Sequence, residues 1–365
     1  TKSFRNLIIN GAMNVAQRST SATGNGYASV DRFQVQFGGN TGVAQAQVAL
    51  SSSDTGPWEK GFRNCFKVTN ASTADETSTS AEARITYNIE AQDIACSGWE
   101  YNNTSSNLTV SCWFKSNVAE TFYMVLRSRD GTNQGYCTPI TLAANTWTKF
   151  TKTIPGAANI QINNDNGEGL AIHIYLFLGS NSTTSSHTNN AWAAYDGSDT
   201  TPDFETSGSW FAGDASSTFQ MTGFQVEAGD SATDFEHKSY QDELLRCMRY
   251  YQKHTYGASI PGNSTGTAVV TCVSYNSSNA YGGFPTTVPF RSGGTDIAFS
   301  HSTVGGSGHW GYLENGANKA VSDIDAQDRT TPTTISLQVQ GTLDDQVGTL
   351  RADHVDAYLA WDNEL

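Results

Sequence analysis

No stretch of this 365-residue chain approaches the ~20 apolar residues that a membrane-spanning helix requires. The longest apolar run, residues 170–178, is strand-sized and contains His173. The first residues hold no apolar core of a secretory leader. Basic residues are scarce: 21 Lys and Arg stand against 35 Asp and Glu, a formal net charge of −14. Nucleic-acid binding needs a basic footprint to displace counterions, and an anionic membrane surface repels such a chain. Neither nucleic acid nor membrane insertion is therefore expected. The negative surplus suits a soluble protein displayed in many copies.

CxxC spacing is missing among the six cysteines, Cys65, Cys96, Cys112, Cys137, Cys247 and Cys272. That removes the common zinc and redox motifs. Cys112 and Cys272 sit in strand-like runs and Cys247 in a helix-like run, as buried reduced thiols do; an even count leaves disulfides open. No repeat of fixed period is present. Gly305-Gly306-Ser307-Gly308 lacks the Gly-Lys-Ser/Thr ending of a phosphate-binding loop, and no G-x-S-x-G elbow occurs.

What the chain does have is aromatics, at 11%, and abundant small polar residues over only 15% charge. That composition favours a turn-rich β-protein and argues against disorder. Phe33, Val35 and Phe37 alternate, as do Leu108, Val110, Cys112 and Phe114. Asp130-Gly131 and Asn315-Gly316 are hairpin signals. Residues 170–178 are apolar on both parities, which predicts a central strand covered on both faces. Ile335, Leu337 and Val339 alternate with Ser336, Gln338 and Gln340, predicting a strand with one wet face.

One helix is predicted, over residues 239–253. Ser239 is its N-cap, Asp242 and Glu243 lie in its first turn, and Leu244, Cys247, Met248 and Tyr251 form its apolar stripe. The expected architecture is all-β: two antiparallel, jelly-roll-like β-sandwich domains at residues 1–236 and 257–365, joined by one α-helix within 237–256.

Two segments carry a resemblance. Residues 6–18, NLIINGAMNVAQR, read as a first strand with an Asn10-Gly11 turn, and a Tyr27…Asp31-Arg32-Phe33 segment follows. Residues 221–236, MTGFQVEAGDSATDFE, read as a last strand and its exit turn. Together they resemble the two ends of the galactose-binding-like, carbohydrate-binding jelly-roll module of phage tail-fibre and minor virion proteins. Residues 62–70, 110–116 and 145–154 resemble its middle strands, and residues 239–251 resemble the helix that follows it.

The resemblance implies a protein displayed on a virion as a homo-oligomer, a trimer, that contacts other tail or capsid proteins and attaches to host surface polysaccharide. A purely structural decoration or connector protein is the alternative, and a glycan-degrading tailspike enzyme a third. Only residues 1–5 precede the opening stretch, so docking through a folded surface or a short tail is expected. The resemblance also implies a structural calcium near Asn10 and Glu227; no other cofactor is expected.

No catalytic residues are expected. The acid pairs Asp203/Glu205, Asp323/Asp325 and Asp344/Asp345 read as solvated loops. His301 and His309 flank a Gly/Ser-rich stretch, and either metal ligation or a plain surface loop would fit that spacing. Sugar binding needs an exposed ring against the sugar's C–H face, with polar groups reading its hydroxyls. The long polar stretch 179–213 places Trp192, Tyr195 and Trp210 first, with Trp99 behind them. Trp113 and Trp147 are expected in the core or between the sheets.

Overall fold

A computed structural model describes residues 5–38, 43–70, 77–206, 208–212, 216–255, 267–293, 298–301, 310–314, 317–327, 330–344, 347–353 and 357–365. The chain divides into two compact units, residues 1–244 with Leu365, and residues 245–364.

In the first unit the strands are β1 (Ser21–Thr23), β2 (Gln34–Gly38), β3 (Val43–Ala49), β4 (Asn64–Asn70), β5 (Glu82–Glu90), β6 (Asn107–Ser116), β7 (Glu120–Ser128), β8 (Gln134–Leu142), β9 (Thr148–Pro155), β10 (Glu168–Leu178), β11 (Trp192–Ala194) and β12 (Thr218–Ala228). A short helix, α1 (Ala91–Ala95), follows β5. One six-stranded sheet has the order β1-β3-β4-β12-β6-β9, and the other β11-β8-β7-β10-β5-β2. Successive strands β4 to β7 cross back and forth between the sheets, so the unit is a jelly-roll-like sandwich.

The alternating residues enforce this layering. Leu108, Val110, Cys112 and Phe114 of β6 share one core with Phe122, Met124 and Leu126 of β7 and Ile172, Ile174 and Leu176 of β10. Phe122 of one sheet meets Phe219 of the other edge-on at 5.0 Å. Each such burial contributes about 1.5–3 kcal/mol. β10 pairs with β5 and β7 and is buried on both faces, as its unbroken apolar pattern requires. Its outer face is roofed by the long stretch after it, where Phe204 packs on Tyr123 and Phe177.

Residues 6–18 are not a strand. Their polar side chains replace a ladder: Asn6 Oδ1 accepts the Ile8 and Val226 N–H groups (3.0 and 2.9 Å), and Asn6 Nδ2 donates to the Phe224 carbonyl at 3.2 Å. Glu236, at the other end of the module, accepts the Asn6 N–H at 2.8 Å. The opening and closing segments are thus stitched together.

The helix is shorter than its pattern. α2 (Tyr240–Met248) has the expected cap, with the Asp242 N–H donating to Ser239 Oγ at 3.1 Å. Residues 251–253, expected to be helical, instead begin β13 (Tyr251–Thr255), which pairs with β21 (Tyr358–Asp362). Sheet pairing of an aromatic-led run overrides weak helix propensity. The division between the units falls inside α2, between Leu244 and Leu245.

The second unit adds β14 (Thr267–Asn276), β15 (Asn279–Pro285), β16 (Ala298–His301), β17 (Trp310–Glu314), β18 (Ala317–Ala326), β19 (Thr334–Gly341) and β20 (Val347–Ala352). It is not the expected sandwich. β20 pairs with both β14 and β17, so the sheet β14-β15-β19-β18-β17-β20 closes into a barrel. Ile335, Leu337 and Val339 fill its interior as their alternation predicts. β13, β21 and β16 form a separate three-stranded sheet. The Asn315-Gly316 turn and the 302–309 stretch with His309 lie outside the described residues.

All six cysteines are free; Cys96 is exposed and the others are buried. Burial pushes the Cys65 thiol up to about 12 and that of Cys272 to about 11. No described helix is long and apolar enough to cross a membrane.

Candidate functional site

The outer face of the first sheet carries an aromatic groove. Because Cys112 and Phe114 point into the core, the strand period of two sends Trp113 and Lys115 outward. Trp113 is therefore half-buried on the surface and not between the sheets. Lys149 of β9 lies directly opposite it, its ammonium 5.9 Å from the ring centroid.

The loop before β4 closes one side. Gly56, at φ +98°, lies so near the Trp113 ring that a Cβ would come within 2.7 Å of it. Asp54 anchors the loop: its Oδ1 accepts the Trp147 indole N–H at 3.0 Å and pairs with Lys115 at 3.6 Å. Burial works to raise the Asp54 pKa. Hydrogen bonds from Trp147 and Ser51, with the Lys115 charge, outweigh it and hold the carboxyl below its ordinary range. Arg63 stacks on Trp58 at 3.8 Å.

A wall is built where Phe62, at the end of the same loop, meets Phe235 and His237, with the ring centroids each 4.9 Å apart. Phe62 sits over a β-bulge in β12 between Thr222 and Gln225. Gly223 makes the seat: its φ is +65°, and a Cβ there would lie 2.5 Å from the Phe62 ring. His237 Nε2–H donates to the Lys60 carbonyl at 2.8 Å. The groove between the walls has a volume of about 540 Å³, and Glu59, Lys60, Lys149 and Asp234 also line it. That lies in the range of ligand sites, with apolar ring faces beside charged hydrogen-bonding groups.

The four aromatics expected at the site have separate surroundings. Trp210 is fully buried, 6.0 Å from Phe37, and cannot serve as a platform. Trp99 is also in the core, its indole N–H donating to the Ser106 carbonyl at 3.3 Å. Trp192 packs on Tyr136 at 5.4 Å and donates to the Pro155 carbonyl at 2.7 Å. Tyr195 lies under the Arg127 guanidinium at 3.7 Å, beside a recess of about 40 Å³. That recess holds a water or two and no sugar ring. A polar loop composition reports that a segment is a surface connection; it does not report which of its rings fold back as anchors. The parity of β6 was the usable signal for Trp113.

Asn10 and Glu227 do not form a calcium site. Asn10 Oδ1 accepts the Val15 N–H at 2.9 Å. Glu227 accepts from Gln225, from the Thr233 N–H and hydroxyl, and from Arg5 at 3.1 Å. Their oxygens serve the fold, whereas calcium takes six to eight. Among the described residues no group of three His, Cys, Asp or Glu could hold a metal ion.

A second cleft, of about 340 Å³, gathers Glu120, Asp203 and Glu205 beside Tyr123. Burial pushes the Glu120 carboxyl up to about 7, against the hydrogen bond from the Trp210 N–H (2.6 Å) and with a further push from Glu205. Asp203 accepts the Thr183 hydroxyl at 2.7 Å. Glu120 had no signature in the sequence, being brought to Asp203 and Glu205 only by the roofing of the second sheet.

No family model and no curated protein matches the chain. Among solved structures it is similar to the enzymatically active domain of tailspike protein 4 of bacteriophage CBA120, at TM-score 0.32 and 10% identity, over 61% of this chain and 21% of that one. It is similar to an arabinose-bound α-L-arabinofuranosidase, at TM-score 0.33 and 12% identity, over 73% and 32%. A family 11 carbohydrate-binding module from Clostridium thermocellum, with a bound β-1,3-1,4-mixed-linked tetrasaccharide, gives TM-score 0.26 and 12% identity over 60% and 98%. The chain thus spans about a fifth of the tailspike domain and a third of the arabinofuranosidase.

Proposed function

We propose that this chain is a glycan-binding protein that holds a host surface polysaccharide in the groove beside Trp113, without cleaving it. The single observation behind the reading is the groove itself. A half-buried tryptophan faces a Phe62–Phe235–His237 wall across about 540 Å³, with Lys60, Lys149, Glu59 and Asp234 within it. The ring supplies a face for sugar C–H groups, and the charged side chains address hydroxyls and ionised substituents.

The setting we propose is the surface of a phage particle, where the chain works as a homo-oligomer, a trimer, in host attachment. The resemblance of residues 6–18 and 221–236 supports it, and their mutual hydrogen bonding makes them one structural unit.

Isothermal titration of the full chain with host envelope polysaccharide tests the reading. Trp113→Ala is expected to weaken binding by about tenfold, roughly 1.4 kcal/mol. Equal affinity of variant and wild type would remove the groove from the function. No new reducing ends are expected in the same mixtures. Release that disappears in Glu120→Gln would instead make the acidic cleft catalytic.

A further inference from the structure

We propose that the barrel carries a second, independent carbohydrate site, formed by Tyr275 and Tyr281 and selective for uncharged oligosaccharides. Tyr275 is the most exposed large ring among the described residues, at 77%, and Tyr281 is 37% exposed. Large rings exposed side by side mark an interaction site. They meet edge to face, with centroids 6.0 Å apart and planes at 72°.

The placement is built into the hairpin. β14 and β15 pair with a register shift between Ser274 and Asn276, and Tyr275 is the extra residue of that bulge. Bulges re-aim side chains in this way. Tyr281 is outward by parity, since Ala280 faces the barrel core. The tip is tied down: the Gly341 N–H donates to the Ser278 carbonyl (3.0 Å) and the Leu343 N–H to that of Ser277 (2.9 Å). A rigid platform loses little entropy when it binds.

Beside the rings stands a rank of amides. Gln338, paired across the ladder with Tyr281, donates to the Tyr281 hydroxyl (3.2 Å) and to Asn279 Oδ1 (2.8 Å). Gln327 donates to Gln338 Oε1 at 2.9 Å. Tyr275, Tyr281, Gln327 and Ser336 line a recess of about 380 Å³. The Tyr275 hydroxyl, the Ser336 hydroxyl and Gln327 Oε1 have no partner among the described residues. Neutral donors and acceptors set around ring faces suit hydroxyls and acetamides. Among the described residues the recess is lined by uncharged side chains, and Asp325, held by Gln340 at 2.8 Å on the neighbouring strands, would repel an anionic sugar.

The test titrates the full chain, Trp113→Ala, Tyr275→Ala, Tyr275→Phe and the Trp113→Ala/Tyr275→Ala double variant with maltohexaose, cellohexaose, chitohexaose and hexagalacturonate. At least one uncharged hexaose is expected to bind Trp113→Ala. Tyr275→Ala should weaken that binding by about tenfold, and Tyr275→Phe should stay within about threefold. Hexagalacturonate binding should be unmoved by Tyr275→Ala. Because Tyr275 is exposed, the melting temperature should not change. The proposal falls if Trp113→Ala binds no uncharged hexaose, or if Tyr275→Ala leaves every affinity intact. It also falls if Tyr275→Ala turns an oligomer into a monomer by light scattering, which would make the rings a contact between copies. A Trp113→Ala variant that binds everything normally sinks the groove and leaves the barrel site standing.

Discussion

The two units solve the same problem, burying alternating strands, in different ways. The sandwich keeps two sheets and therefore has two outer faces. One is roofed by the stretch after β10; the other stays open and carries Trp113. The barrel closes one sheet on itself through β20, which removes its edges and leaves a single outward surface. Its rings rise from a bulge among uncharged amides, whereas those of the sandwich lie in a groove with lysines and acids. Closure thus sets rings on a hairpin bulge beside amides, and an open sheet framed by loops sets them in a groove with lysines and acids.

The largest effect that separates the units is expected at Gly223. Alanine there meets both a left-handed backbone and the Phe62 ring, which together cost roughly 2–3 kcal/mol. Calorimetry should show the sandwich transition lowered and the barrel transition unmoved. A scan in which both shift equally would mean that the units do not unfold separately.

A smaller effect is expected at Glu120. Its carboxyl is raised from 4.5 to about 7 in the folded chain. Between those values the folded state holds a proton that the unfolded state has lost, so stability falls as pH rises through the window and stays lower above it. Glu120→Gln keeps an acceptor for the Trp210 N–H and should raise stability above pH 7 by about 1–2 kcal/mol, allowing for partial exposure. Below pH 4.5 the two proteins should melt alike. Melting curves at pH 4 and pH 8 decide this, and an equal difference at both would refute the assignment.

The smallest effect concerns salt. Raising it from about 0.05 to 0.5 M should weaken an anionic oligosaccharide in the groove a few-fold and leave a neutral hexaose on the barrel unchanged. Equal salt dependence at both sites would erase the contrast between charged groove and neutral platform.

Much of the layering was legible in the chain. The parity of β6 and β19, the doubly apolar β10 and the Ser239 cap all describe short-range geometry, which residue spacing carries directly. Residues 6–18 misled because an apolar run beside Asn-Gly looks like a strand and a turn, while their hydrogen bonds go largely to side chains, among them Asn6, Asn10, Asp31 and Tyr87, and to Glu236 at the far end of the module. Trp210 and Trp99 misled because loop composition does not say which rings fold inward.

By itself the sequence determined that the protein is built of antiparallel strands, which faces of those strands are apolar, and that the chain is acidic with Cys112, Cys247 and Cys272 placed to be buried. These follow from a period of two and from composition. Only the tertiary structure decided that the second unit closes into a barrel, that Trp113 looks out across Phe62 and Phe235, and that Glu120 lies with Asp203 and Glu205. Each depends on which distant strands pair, and a strand's own alternation is the same whether its sheet stays open or closes on itself.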